Sequence, residues 1–178
     1  MFGVQKCSGM GSGKMKSRML ILLALFSALS AVGAAIKIPA IVGSVAFDVF
    51  PALLAAALLG GGAGAIVGAL GHLLSALIAG FPLGPMHGLI AIEMAVLVYI
   101  FGVLYKKNKK VIASILFILA NAFAAPLPFI FLMNIAFYVA ILPSLLIGSI
   151  INAVIALVAI PRLKSLVKQD LIEKDVKI

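Results

Sequence analysis

Hydrophobic runs of membrane-crossing length, separated by short basic segments, decide what this chain can fold into. The clear runs are Met19–Ile36, Ala63–Ala79, Met86–Tyr105, Val111 to about Leu132, and about Ile135 to Ile160. A helix needs roughly 20 apolar residues to cross a hydrocarbon core about 30 Å thick, and the alternating ten-residue strands of an outer-membrane barrel are absent. Composition agrees: 65% of residues are hydrophobic and 11% charged, against about 45–50% apolar and about 25% charged in soluble domains. The reading is an all-α polytopic protein of the cell (cytoplasmic) membrane.

Phe47–Leu59 is a sixth, shorter apolar run. About 13 residues at roughly 1.5 Å each cover about 20 Å, so it either forms its own helix or fuses with the next run. Charge separates the two. Lys and Arg concentrate on the cytoplasmic side of a membrane. With a turn at Gly60, Gly61 and Gly62, every basic residue of the 14 except Lys37 falls on one side. Six transmembrane helices with both termini cytoplasmic follow. The formal charge of +9 then serves orientation, and no nucleic-acid partner is called for. Three segments result: a polar, disordered stretch over residues 1–18, a six-helix transmembrane domain over 19–163, and a charged cytoplasmic tail over 164–178.

On this topology the scarce polar side chains collect at the outer end. They are Asp48 in the first outer loop, His72 halfway along the third helix, His87 and Glu93 at the start of the fourth, and Asn134 near the last outer connection. A charge at mid-bilayer costs about 2.5–3.5 kcal/mol on insertion scales, so such residues face a bundle interior or a wet cavity. One account makes them structural, with Glu93 paired to His87 or Lys37 and His72 bonded to a backbone carbonyl; the other makes them a pocket. Pro82, Gly84, Pro85, Pro126, Pro128 and Pro143 interrupt the same end, and broken backbone at membrane depth is tolerated where it lines a cavity. Phe47, Phe50, Phe81, Phe129 and Tyr138 also lie there, as an interfacial belt or as walls for a planar ligand.

Ala24, Ala28, Ala31 and Ala35 recur at helical spacing along the first run, a small-residue stripe of the kind that lets helix backbones approach in lipid. Gly64 and Gly68 make a similar stripe leading to His72. Energy-coupling chemistry is missing. "SGMGSGKM", Ser8–Met15, lacks the first glycine and the final Ser or Thr of a phosphate-binding loop. Neither a zinc-site HExxH nor a GxSxG elbow occurs, and Cys7 is the only cysteine. A pocket without an engine reads as a subunit.

"LALFSALSAVGAAIKIPA" followed by "VAFDVFPALLAAALLGGGAGAIVGALGHLLSALIAGFPLGPMH" resembles the substrate-binding S component of energy-coupling factor (ECF) vitamin transporters. The resemblance spans about Met19 to Leu163, is most specific from Asp48 through His87, and is strongest to the subgroup assigned to α-ribazole, the benzimidazole riboside of cobalamin salvage. It implies a six-helix subunit that captures a vitamin or precursor without being an enzyme. It implies no cofactor bound by this chain, and partnership with a transmembrane coupling protein and two cytoplasmic ATPases that use the ATP. The family's AxxxA motif, which faces the coupling protein, corresponds to Ala24 and Ala28, extended by Ala31 and Ala35. The loop of about Lys37–Phe50 corresponds to its lid. For α-ribazole, rings such as Phe47 and Phe81 would cover the base, and Asp48, His72, His87, Glu93 and Asn134 would bond the sugar. A pyrimidine or flavin precursor is an alternative ligand, and an autonomous proton-coupled carrier an alternative class.

Overall fold

In the computed structural model, residues 10–39 and 44–175 are described. They form six helical rods and one small hairpin. Helix α1 runs Met10–Ala35, strands β1 (Lys37–Pro39) and β2 (Ser44–Ala46) pair antiparallel, and α2 (Phe50–Leu58), α3 (Gly61–Ile78) and α4 (Met86–Lys106) follow. The fifth rod is α5 (Lys110–Leu119), a π-helical turn (Ala120–Ala124) and α6 (Pro128–Leu132); α7 (Ile135–Asp175) is the sixth. Among the described residues, four stretches are long and apolar enough to cross a membrane: Gly61–Ile78, Met86–Lys106, Lys110–Leu132 and Ile135–Ser165. Met19–Ala35 of α1 is a shorter apolar helix.

The short sixth run is a helix of its own, trimmed to nine residues. Gly60 separates it from α3 with φ 115°, a backbone conformation that costs glycine little and other residues much. The N–H of Gly60 bonds Ala55 and Ala56 carbonyls at the end of α2, while its own carbonyl accepts from Gly64 in the first turn of α3. Nine residues span about 14 Å, about half of the hydrocarbon thickness. Pro51 through Ala57 are all buried, so α2 is a half-length helix plugged into the bundle rather than a full crossing.

Small residues make that plug possible. Lipid offers no hydrophobic drive for helices to associate, so close packing must supply the attraction. A Cβ on Gly64 would collide with Ala56 of α2, and one on Gly102 of α4 would come within 2.6 Å of Gly61 Cα and 3.1 Å of Ala56 Cβ. Ala56 is thus the point where three backbones meet. Around it Leu53, Val67, Val98, Phe101 and Phe117 are fully or almost fully buried.

Proline shapes the other half. Pro126 and Pro128 cannot donate to a helical ladder, and the chain before them widens to a π turn in which Ala125 N–H reaches Ala120 O at 2.8 Å. α7 instead carries Pro143 and Pro161 inside a helix of 41 residues. Two sequence boundaries therefore move. The helix expected to start at Met19 begins at Met10, within the segment expected to be disordered, and residues 1–9 lie outside the described residues. The last helix runs past Ile160 to Asp175, because Pro161 forfeits one hydrogen bond without breaking a segment of helix-favouring Leu, Lys and Glu.

Gly102→Ala is expected to lower the thermal unfolding midpoint in detergent by the equivalent of roughly 1–3 kcal/mol, the usual range for overpacking. Gly88→Ala, with nothing within 4 Å of the added carbon, is expected to leave it unchanged or slightly higher.

Candidate functional site

A cavity of about 420 Å³ opens in the half of the bundle that α2 leaves empty. Its wall includes Ala46 of β2 and Asp48 and Val49 immediately before α2, but no residue of α2 itself; the rest comes from the C-terminal half of α3 and the turn after it, the first turns of α4, the rod of α5, π turn and α6, and the first half of α7. The opposite end of the bundle holds Met19, Gly60 and Lys106 around a shallow groove, and there Lys110 and Lys164 flank the Tyr105 ring at 5.8 and 5.1 Å. Polar side chains and the basic cluster therefore occupy opposite ends.

His72 and His87, fifteen residues apart in sequence, meet on this wall with Nε2 of His72 3.1 Å from Nδ1 of His87. The neighbouring contact assigns the protons. Leu83 N–H donates to Nε2 of His87 at 3.3 Å, so that nitrogen carries no proton and Nδ1 must. His87 Nδ1–H then donates to His72 Nε2, leaving the proton of His72 on Nδ1. A directed chain runs from the Leu83 backbone through two uncharged imidazoles to a single donor. The turn Pro82–Gly84–Pro85 shapes this chain: Gly84 has φ 54° and accepts from His87 N–H, which brings Leu83 back over the ring.

Asp48 and Glu93 line the same cavity. The Ser75 hydroxyl and the N–H groups of Asp48 and Val49 bond the Asp48 carboxylate, yet burial outweighs them and pushes this carboxyl above the usual range. Glu93 Oε2 is buried without a hydrogen-bond partner, and His87 is engaged by His72 and Leu83. The expectation that Glu93 pairs with His87 is not met, nor does His72 spend its Nε2 on a backbone carbonyl.

Three residues expected in the site stand off its wall. Asn134 is exposed and caps α7, its Oδ1 accepting from Phe137 N–H at 2.8 Å. Phe47 is drawn to α1, its N–H bonded to Gly33 O at 3.1 Å. Phe81, at φ 50° and 40% exposed, meets the His87 ring edge-on at 5.6 Å from outside. Phe117, Phe129 and Phe137 supply the aromatic wall instead.

Two asparagines complete the wall. Asn121 lies on the π turn, donates to Ser149 Oγ at 2.7 Å and leaves Oδ1 buried and unpartnered. Asn152 is fully occupied: Oδ1 accepts from Phe50 N–H, and Nδ2 donates to Ala46 O and Gly148 O, each at 2.9 Å. It ties β2 and the start of α2 to α7. The signal for both was present, since an amide within an apolar helix is as anomalous as a charge.

On α1, Ala24, Ala28 and Ala35 are exposed and Ala31 half-buried, whereas Ser27, Ser30, Gly33 and Ala34 are buried. The alanine stripe thus faces away from the bundle.

Residues 18–164 match the family described as ECF transporter, substrate-specific component. The chain belongs to that family, and is a multi-pass protein of the cytoplasmic membrane. Its fold is similar to that of a solved S component of a bacterial ECF transporter, with TM-score 0.64 and 22% sequence identity over 86% of this chain and 99% of that one. No curated protein matches the sequence.

Because the Asp48 carboxyl is held above its ordinary range, ionising it costs stability that is intact below about pH 4 and lost as pH rises through the raised value. Asp48→Asn is therefore expected to raise the unfolding midpoint in detergent near pH 8 and to change it little near pH 4. A variant less stable than wild type near pH 8 would show that the Ser75 bond outweighs burial.

Proposed function

We propose that this chain is the substrate-capture subunit of an ECF-type importer, taking α-ribazole into the cavity from outside and delivering it inward with a separate ATPase module. One observation carries the reading: in a member of the substrate-specific component family, the rare polar groups converge on one cavity at the end of the bundle opposite the lysines. Its volume lies within the roughly 300–1,000 Å³ usual for small-molecule sites, and its make-up of apolar walls with few placed polar groups is also usual. Phe117, Phe129 and Phe137 suit a flat benzimidazole, while Asp48, His72, Glu93 and Asn121 suit ribose hydroxyls.

The lysine-rich end faces the cytoplasm on this reading, since basic flanks are retained there. The β1–β2 hairpin, from which Ala46 joins the cavity wall, serves as its lid. Ligand is bound without chemical change and without a cofactor of this chain. Ala24, Ala28, Ala31 and Ala35 form the surface for a transmembrane coupling protein, which joins the subunit to two cytoplasmic ATPases. Their exposure supports this, because small residues left on an outer helix face permit close approach by another helix.

Titration of α-ribazole into the purified chain tests the ligand. His72→Ala and Glu93→Gln are each expected to weaken binding about tenfold or more, the loss of one well-placed hydrogen bond in a buried site, with unfolding midpoints little changed. Unaltered affinity in both removes them from the site.

Ala28→Trp tests the partner surface. It is expected to spare binding by the isolated subunit while abolishing assembly and uptake when coexpressed with the coupling protein and ATPases. Retained uptake refutes the assignment of the stripe.

A further inference from the structure

The hydrogen-bonding balance of the cavity is lopsided. Glu93 Oε2 and Asn121 Oδ1 are buried acceptors without partners, and Asn121 as a whole is 6% exposed. Asp48 adds a second carboxyl. Leaving a buried acceptor unpaired is costly, so a ligand that donates to these atoms recovers that cost.

Among the described residues, positive charge is absent from the wall: no Lys or Arg lines the cavity, and the bond pattern from Leu83 leaves both His72 and His87 uncharged. The backbone offers no substitute. Helix N-termini commonly hold anions through free N–H groups, but those of α2 and α4 beside this cavity are spent. At α2, Phe50 N–H goes to Asn152 Oδ1, Pro51 has none, and Ala52 and Leu53 donate to Val49 O. At α4, Met86, His87 and Gly88 donate to Leu83, Gly84 and Pro85 carbonyls. Both side-chain N–H groups of Asn152 are spent as well, and Asn121 gives one of its two to Ser149 Oγ. An anion here would lose its water without gaining a cation, which is strongly unfavourable.

We infer that the cavity selects an uncharged or positively charged ligand rich in O–H or N–H donors, and rejects the phosphorylated or carboxylated form of the same molecule. The ligand donates to Glu93 and Asn121 and accepts from His72 Nδ1–H. The inference rests on reading the cavity as the substrate site, but does not require the substrate to be α-ribazole.

Thermal-shift measurements on the full purified chain with matched pairs test it: α-ribazole and its 5′-phosphate, and riboflavin and its 5′-phosphate. They are paired with mass spectrometry of any small molecule released on denaturing the protein. The expected result is that every stabilising compound is unphosphorylated, with its phosphate at least about 100-fold weaker, roughly 2.7 kcal/mol. Any released molecule is expected to carry neither phosphate nor carboxylate. Stabilisation by a phosphorylated member at equal or lower concentration overturns the inference, as does release of an acidic ligand. An uncharged released molecule other than α-ribazole supports the inference while refuting that ligand. A silent panel with nothing released overturns both. Glu93→Lys supplies an independent check: placing a cation on the wall is expected to narrow or invert the preference within whichever pair binds, and an unchanged ratio counts against the charge argument.

Discussion

The contact of three helix backbones at Ala56 is the constraint on which the rest of the molecule depends. Because Gly64 and Gly102 carry no side chain there, α3 and α4 close directly on α2, and dispersion over that short distance holds the helices in a solvent that gives no hydrophobic reward for pairing. Since α2 is only nine residues long, the filling stops partway. Tight packing in one half and vacancy in the other are two sides of the same arrangement. The site is the space that a full-length central helix would have occupied.

Polar groups near that space divide into two kinds. Asn152 has its bonding capacity met within the protein and serves as a fastener. Glu93 and Asn121 each keep one buried oxygen unspent. A protein dissolved in lipid has little reason to retain such atoms for stability alone, because each carries a desolvation cost. The histidine pair belongs between the kinds: one ring is consumed in orienting the other.

Much of the fold was legible because membrane insertion writes itself into composition. The long runs, the charge asymmetry and the glycine turn at Gly60 were all readable, and so was the bracketing of one wall by His72 and His87. What was hidden depended on neighbours distant in sequence. Asn134 looked like a ligand group because depth alone placed it at the right end, whereas its side chain is used locally by Phe137 N–H. Phe47 and Phe81 share that depth, but the backbone of Phe47 is bonded to α1 and the ring of Phe81 meets His87 edge-on. Asn121 was overlooked because, unlike Asn134, it lies inside a long apolar run and not at its end, and its orientation follows from a π turn that prolines downstream impose. Continuation of α7 through Pro161 was illegible for a similar reason, since a proline alone does not reveal whether the helix bends or ends.

Asn152 has a mechanical consequence. One amide on α7 grips both Ala46 O at the end of the hairpin and the first N–H of α2. Swinging the hairpin outward must strip a donor from Ala46 O, at roughly 0.5–1.5 kcal/mol unless water replaces it. On the proposed reading of the hairpin as a lid, it would behave as a latch with a small catch rather than as a free flap, held by a residue more than a hundred positions away in the chain.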